Sequence, residues 1–167
     1  MNLAAIKSLI EQHEGRRATI YTDTQGHPTV GIGCNLDADS AGIDLTAVAA
    51  DLKDVLAGTP LTESQIDGLL LIQLNRCIYQ AQILFPKLDE MPANAQAVIV
   101  DMIFNIGMRG FGLFLKAVLA LKQGRWNDAA DELKESKWYT QVNPKGYPED
   151  TVGNRGTDNV RMIRELA

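Results

Sequence analysis

The sequence contains little of what metal sites, disulfide scaffolds and membrane spans are built from. Its 167 residues include only two cysteines and two histidines. The cysteines, Cys34 and Cys77, match no spacing of metal ligands, so we expect two free, buried thiols. No apolar run reaches the roughly 18 residues of a membrane span, and residues 1–7 lack the pattern of a secretory signal peptide. We therefore expect no metal, no cofactor, no stable membrane insertion and synthesis in a cytoplasm.

Basic charge is scarce as well. The chain has 16 Lys and Arg against 21 Asp and Glu, a formal net charge of −5. Proteins that bind nucleic acids through phosphate contacts carry a basic patch or an excess of Lys and Arg, so we expect no nucleic-acid partner. The composition, 46% hydrophobic and 22% charged, is typical of a globular protein.

The hydrophobic pattern predicts helices around one short stretch of strands. Residues 3–13 predict an amphipathic helix that Gly15 ends, and residues 17–35 predict short strands with a tight turn near 24–26. Thr62 and Gln65 form a capping box that opens a long helix. Asn127 is the predicted N-cap of a later helix. The helices are predicted at about 46–56, 63–84, 92–106, 112–123, 127–135 and 155–166, and a loop is predicted at 143–153.

These elements predict an α+β fold that is mainly α. We expect one domain over residues 1–167, with a small N-terminal hairpin lobe at about 14–60. A larger helical lobe comprises about 85–167 together with helix 3–13. The helix at about 63–84 is long enough to join the two lobes, at about 1.5 Å per residue.

The stretch from Glu14 to Gly33 carries the chemistry. It places two carboxylates and a hydroxyl near one another: Glu14 at a helix end, then Asp23 and Thr29 in the predicted hairpin. An acid and a second carboxylate beside a small polar group are what hydrolysis at an acetal centre needs. Taken singly, Glu14 fits a solvated surface residue, Asp23 a turn cap and Thr29 an ordinary strand residue.

Two other chemistries are open to the same stretch. His27 with Asp23 and Glu14 resembles a set of metal ligands, but the spacing matches no standard motif. Cys34 lies near the cleft that we expect between the two lobes, yet no histidine stands at a suitable offset to activate it as a nucleophile. We expect neither a metal site nor a catalytic cysteine.

The spacing of Glu14-Gly15 and of Tyr21-x-Asp23-x-x-Gly26-x-x-Thr29-x-Gly31-x-Gly33 resembles that of the phage-type lysozymes, the T-even phage family of endolysins. The likeness covers nearly the whole chain. Later segments in family order are Phe104-Asn105-Ile106-Gly107, Gly124-Arg125-Trp126 and Ser136-Lys137-Trp138-Tyr139.

The resemblance implies a lysozyme-like fold and a specific mechanism. Glu14 would give a proton to the glycosidic oxygen, while Asp23 and Thr29 would hold the attacking water. The family is associated with inversion, for which the two carboxyl groups stand about 6.5–9.5 Å apart. Phe104 and Asn35 would bind the sugar chain. The substrate would be the β-1,4 bond between N-acetylmuramic acid and N-acetylglucosamine in bacterial peptidoglycan.

The chain departs from the family at one position of the motif. Cys34 follows Gly33, where the family usually has histidine, so any ion pair of that histidine must be replaced. Groove positions that carry small or amide side chains in the family fall here at Ala117 and Glu132. The family also implies a monomer made in the host cytoplasm, which reaches the periplasm and cell wall through a separate holin-type protein.

Two rival functions remain. A lytic transglycosylase would cut the same bond without water, and the Asp23 and Thr29 pair disfavours it. A non-catalytic wall-binding module would use the fold without the chemistry, and substitution of Glu14 separates it from an enzyme.

Overall fold

The computed structural model describes residues 1–23, 26–143 and 153–167. Within them the chain divides into two compact units. The strand unit is Ile10–Arg76, and the helical unit is Met1–Leu9 with Cys77–Ala167. The predicted α+β class with mainly helical content is confirmed. The prediction that both units form one domain joined by the long helix stays a prediction.

The strand unit holds a three-stranded antiparallel sheet in the order β1-β2-β3. The side chains of its core include Ile10, Val30, Leu45 and Ile66, which are fully buried. The elements with residues in this unit are α1 (Leu3–Glu14), β1 (Arg17–Thr22), β2 (Pro28–Gly31), β3 (Cys34–Asn35), α2 (Ala41–Ala47), α3 (Leu52–Leu56) and α4 (Glu63–Leu84).

The predicted helix at 46–56 is wrong. The structure has α2 and α3 there, separated by four residues that include Ala49 with a φ of 56°. The second helix has its own start, because the Asp51 side chain accepts hydrogen bonds from the backbone N–H groups of Lys53 and Asp54. An N-cap aspartate satisfies amides that a continuous helix would have bonded to its own carbonyls. Asp51 was the signal for this break.

The start of α4 is confirmed as a capping box. The Gln65 side chain accepts from the Thr62 N–H at 2.9 Å, and the Thr62 hydroxyl accepts from the Gln65 N–H at 3.3 Å. These bonds satisfy amides that the first turn of a helix leaves unpaired. The helix runs for 22 residues, as its periodicity predicts.

Arg16 connects the end of α1 to the start of α4. Its guanidinium donates to Glu11 at 2.6 Å, to Asp67 at 2.7 Å and to Glu63 at 2.7 Å. Hydrogen bonds to Glu11 and Asp67 are the largest causes that raise the pKa of Arg16 above its ordinary value. The bond to Glu63, whose side chain is 76% exposed, contributes least because solvent screens it.

The helical unit is built around α5, whose residues 95–103 are all buried. The predicted helix end at Gly107 is confirmed as a break inside α5, where φ is 71°. The expected N-cap at Asn127 is wrong, since the helix begins at Trp126 with no side-chain cap. The helices in this unit after α4 are a short 3-10 helix (Leu88–Glu90), α5 (Ala93–Gly112), α6 (Leu115–Lys122), α7 (Trp126–Lys134), α8 (Lys137–Val142) and α9 (Arg155–Arg164).

The helix α8 was not predicted from the sequence. It begins after Ser136, whose hydroxyl accepts a hydrogen bond from the Tyr139 N–H. A serine in that position is a helix N-cap signal. The predicted tight turn near 24–26 and the predicted loop at 143–153 lie largely outside the described residues.

A buried ionic cluster joins α5 to α9. Asp101 is fully buried, and its carboxylate pairs with the Arg155 guanidinium at 3.2 Å. The Asn159 amide donates to the same carboxylate at 2.8 Å. A buried charge needs such partners, because leaving one alone in the interior is costly.

Among the residues described, no single helix has the length and apolarity of a membrane span. The helices α5 and α6, bent by 108° against each other, meet both criteria only as a pair.

We expect Arg16→Met to lower the free energy of unfolding by about 1–2 kcal/mol, because it removes the partly buried bonds to Glu11 and Asp67. Urea unfolding measures the loss. Arg109→Met is the matched control, since Arg109 is exposed and makes no ion pair with any residue that the structure describes. Equal losses in the two variants would contradict a stabilising role for Arg16.

We expect Asp101→Leu to lower the free energy of unfolding by about 3–5 kcal/mol, because the Arg155 charge stays buried without this partner. Adding Arg155→Met should restore part of the loss, because the double variant also removes the positive charge that Asp101 balanced. Thermal or urea unfolding of both variants tests this. A double variant less stable than Asp101→Leu alone would show that the charge is not the cause.

Candidate active site

Glu14 is the last residue of α1, as predicted, and its side chain is half-buried in the strand unit. The helix ends there because Gly15 takes a φ of 73°, a conformation that side chains larger than hydrogen disfavour. The Gly15 N–H still donates to the Glu11 carbonyl at 2.9 Å. Arg16, two residues after Glu14, is held in place by its contacts with carboxylates of α1 and α4. The helix end that carries Glu14 is therefore well defined.

The pKa of the Tyr21 phenol depends on both carboxylates of the predicted site. Burial is the largest cause that raises the pKa of its phenol, and the negative charge of Glu14 is the next. The charge of Asp23 raises the pKa further, while Arg17 and a hydrogen bond with the Gly33 backbone lower it. The charges of Glu14 and Asp23 therefore both act on one phenol.

Asp23 follows β1 and closes the described part of the hairpin turn. One of its carboxylate oxygens accepts the His27 N–H at 2.9 Å, and its own N–H donates to the His27 carbonyl at 2.9 Å. The Asp23 carbonyl accepts the Gly26 N–H at 3.1 Å. Asp23 is therefore a turn cap, and its half-buried carboxylate has a fixed orientation.

Thr29 lies in the middle of a row across the sheet. It pairs in register with Tyr21 on β1 and with Asn35 on β3. Only 2% of Thr29 is exposed, and its hydroxyl donates to the His27 carbonyl at 3.1 Å. Since that proton is engaged, the oxygen can only accept a further hydrogen bond. Asp23 and Thr29 thus bind the same residue, His27.

The two predicted sugar-binding residues lie in different units. Asn35, half-buried in the strand unit, accepts the Asp37 N–H on its side-chain oxygen at 2.8 Å. Phe104 is half-buried on α5 in the helical unit. Their contact with a sugar chain stays a prediction.

The two positions that the resemblance places in the sugar groove, Ala117 and Glu132, share one cavity. Ala117 and Glu132 line a space of about 440 Å³ in the helical unit, together with Phe114 and Ser136. Glu132 faces Lys116 there at 3.4 Å.

Cys34 is buried, and burial followed by the charge of Asp44 raises the pKa of its thiol to about 11. A thiol with such a pKa is neutral near pH 7 and is a poor nucleophile. The prediction that Cys34 and Cys77 are free, buried thiols is confirmed, and the prediction that Cys34 is not catalytic stays a prediction.

An ion pair that the sequence did not predict acts on Cys34. The Arg76 guanidinium donates to both carboxylate oxygens of Asp44, at 2.8 and 3.1 Å, and the Ser40 hydroxyl donates at 3.0 Å. Asp44 is only 3% exposed. No local pattern connects residues 32 positions apart, so only the fold reveals this pair.

His27 was also missed as part of the site. Its Nδ1 lies 3.0 Å from an Asp37 carboxylate oxygen, and that hydrogen bond is the largest cause that raises the pKa of the imidazole. The sequence suggested a solvated turn histidine or a metal ligand. Across the described residues, no group of three or more His, Cys, Asp or Glu side chains is arranged to hold a metal ion.

Known proteins match this chain over the region that contains the candidate site. The phage lysozyme family model matches residues 11–149. Two proteins of Dictyostelium discoideum, named probable T4-type lysozyme 2 and probable T4-type lysozyme 1, are 25% and 21% identical to the chain. The alignments cover 93% and 94% of this chain and 96% and 98% of theirs.

A further relative is the pre-baseplate central spike protein Gp5 of Enterobacteria phage T4. It is 27% identical over 83% of this chain and 25% of its own length. The family match contains Glu14, Asp23 and Thr29 and spans more than half of the chain. The chain therefore belongs to the phage lysozyme family and is a lysozyme-type glycoside hydrolase of bacterial peptidoglycan.

Proposed function

We propose that the chain hydrolyses the β-1,4 bond between N-acetylmuramic acid and N-acetylglucosamine, with Glu14 as the general acid and Asp23 as the base. The observation that carries the proposal is the shared contact with His27. Asp23 binds its N–H and Thr29 binds its carbonyl, so the two proposed water ligands are held by one peptide segment. Both proposed carboxylates also act on the Tyr21 phenol.

The hydroxyl of Thr29 gives the water its orientation. Its proton is engaged with the His27 carbonyl, so its oxygen accepts one water hydrogen. The Asp23 carboxylate accepts the other hydrogen and takes it as the water attacks. A lone pair of the water oxygen is then directed at the anomeric carbon.

The bond changes are those of a single displacement. The water oxygen bonds to the anomeric carbon and loses a proton to Asp23. The glycosidic oxygen leaves with a proton from Glu14, and the configuration at the anomeric carbon inverts. An inverting pair stands about 6.5–9.5 Å apart, which leaves room for the water.

The same proposal extends to where the enzyme works. An endolysin of this type would be made in the host cytoplasm and would reach the wall through a separate holin-type protein. Lysis in cells that express the chain with and without such a protein tests this part.

We expect Glu14→Gln to reduce lysis by about 10²–10⁴-fold, because glutamine keeps the shape of the side chain but has no proton to donate. Turbidity loss of outer-membrane-permeabilised cells measures the rate. Glu90→Gln is the matched control, because Glu90 is exposed and its partner Lys87 lies 3.7 Å away on the surface. Full activity in Glu14→Gln would end the assignment of the acid.

Mass analysis of the products in H₂¹⁸O separates hydrolysis from the rival reaction. Hydrolysis adds one labelled oxygen to a reducing N-acetylmuramic acid, whereas a transglycosylase leaves an unlabelled anhydro-sugar. A reducing N-acetylglucosamine end would contradict the proposed bond specificity. Lysis by neither the wild type nor Glu90→Gln at any pH would favour a non-catalytic wall-binding module.

We expect Thr29→Val to lower kcat by about 10–100-fold with little change in KM, because it removes the water acceptor and keeps the volume of the side chain. The His27 carbonyl retains its bond from the Asp23 N–H, so the fold should tolerate the change. Thr29→Ser, which keeps the hydroxyl, should remain close to the wild type. Equal kcat in Thr29→Val and wild type would remove Thr29 from the mechanism.

A further inference from the structure

His27 is bound to both proposed water ligands, and its side chain contacts a third group. Its N–H donates to the Asp23 carboxylate, and its carbonyl accepts from the Thr29 hydroxyl. Its imidazole meets the Asp37 carboxylate at 3.0 Å. The backbone of His27 therefore cannot move without moving the groups that hold the water.

Asp37, the partner of His27, lies in a segment that hydrogen bonds hold in place. Its N–H donates to the Asn35 side chain at 2.8 Å, and Asn35 pairs in register with Thr29. The preceding residue, Leu36, donates its N–H to the Pro28 carbonyl at 2.8 Å. The contact between His27 and Asp37 consequently ties the turn after β1 to the segment that follows β3.

We propose that His27 is a positioning residue, whose charged pair with Asp37 holds Asp23 and Thr29 in the geometry that the reaction needs. The inference rests on the proposed function for Asp23 and Thr29. It adds a third group that touches no substrate and acts through the backbone.

The charge of His27 makes this positioning depend on pH. Two carboxylates face the imidazole, Asp37 after β3 and Asp23 after β1. The bond to Asp37 and the charges of both raise the pKa of His27 above 6.5. The imidazole is then charged below about pH 6.5, where the pair persists as long as the Asp37 carboxylate is ionised, and the pair is lost as the pH rises through the raised pKa of His27.

Histidine titration by NMR tests the pair directly, because the chain has only two histidines, His13 and His27. In Asp37→Asn we expect the pKa of His27 to fall toward its ordinary value of 6.5, while the signal of His13 serves as an internal control. In Asp37→Glu, which keeps the carboxylate, the pKa should stay raised. An unchanged His27 titration in Asp37→Asn would overturn the proposal.

The kinetic test separates positioning from a general loss of structure. Below about pH 6.5 we expect Asp37→Asn and His27→Gln to lower kcat by about two- to fivefold at constant KM, the range that an exposed ion pair supplies. At high pH the wild type has lost the pair too, so the rates of variants and wild type should converge. Asp37→Glu should restore most of the low-pH rate.

Two outcomes would decide against the proposal. A loss that is the same at every pH would indicate damage to the fold, and no loss at any pH would show that the pair does not position the site. Activity retained in Glu14→Gln would end the proposed function, whereas the NMR result on the pair would still stand.

Discussion

The guanidinium of Arg16 is the constraint on which the strand unit depends. It binds carboxylates from the last turns of α1 and the first turns of α4, and it lies two residues after Glu14. A planar group with five donors can satisfy several carboxylates at once, which a lysine cannot do with fixed geometry. The proposed acid, Glu14, thus lies at the end of α1, and Arg16 bonds this end to the start of α4. The turn at Gly15 sets the direction of the chain after Glu14, and the bonds of Arg16 restrict the movement of this helix end.

The sheet supplies the second half of the site through its register. Tyr21, Thr29 and Asn35 occupy one row, so a shift by one residue would turn Thr29 to the opposite face. The polar groups around the row are bonded mainly to backbone, which reorganises less than side chains do. Such preorganisation is the main source of catalytic power in sites that stabilise charge. The near-complete burial of Thr29 fits this requirement.

Local signals predicted much of this molecule. Gly15 ended α1 after Glu14, and the Thr62 and Gln65 pair opened α4, because glycine and capping boxes act over a few residues. The break between α2 and α3 was missed because alanine and leucine favour helix, and Asp51 was not read as a cap. The partners of Arg16 on α4, Glu63 and Asp67, are far from it in sequence, and so is Asp44 from Arg76, so no spacing rule predicts these pairs. The side-chain contact of His27 was not predicted for a similar reason, since its partner Asp37 follows another strand.

The departure at Cys34 and the pair at His27 have a common consequence. At position 34 the family usually has a histidine, a residue that titrates near neutral pH, but here burial keeps a neutral thiol. The buried charge of Asp44 is balanced instead by Arg76, which stays protonated at any pH that a protein survives. Under the proposed positioning role, the dependence on pH lies with His27 on the surface, next to the proposed water ligands. A change of charge there acts on the reaction more than on the stability of the fold.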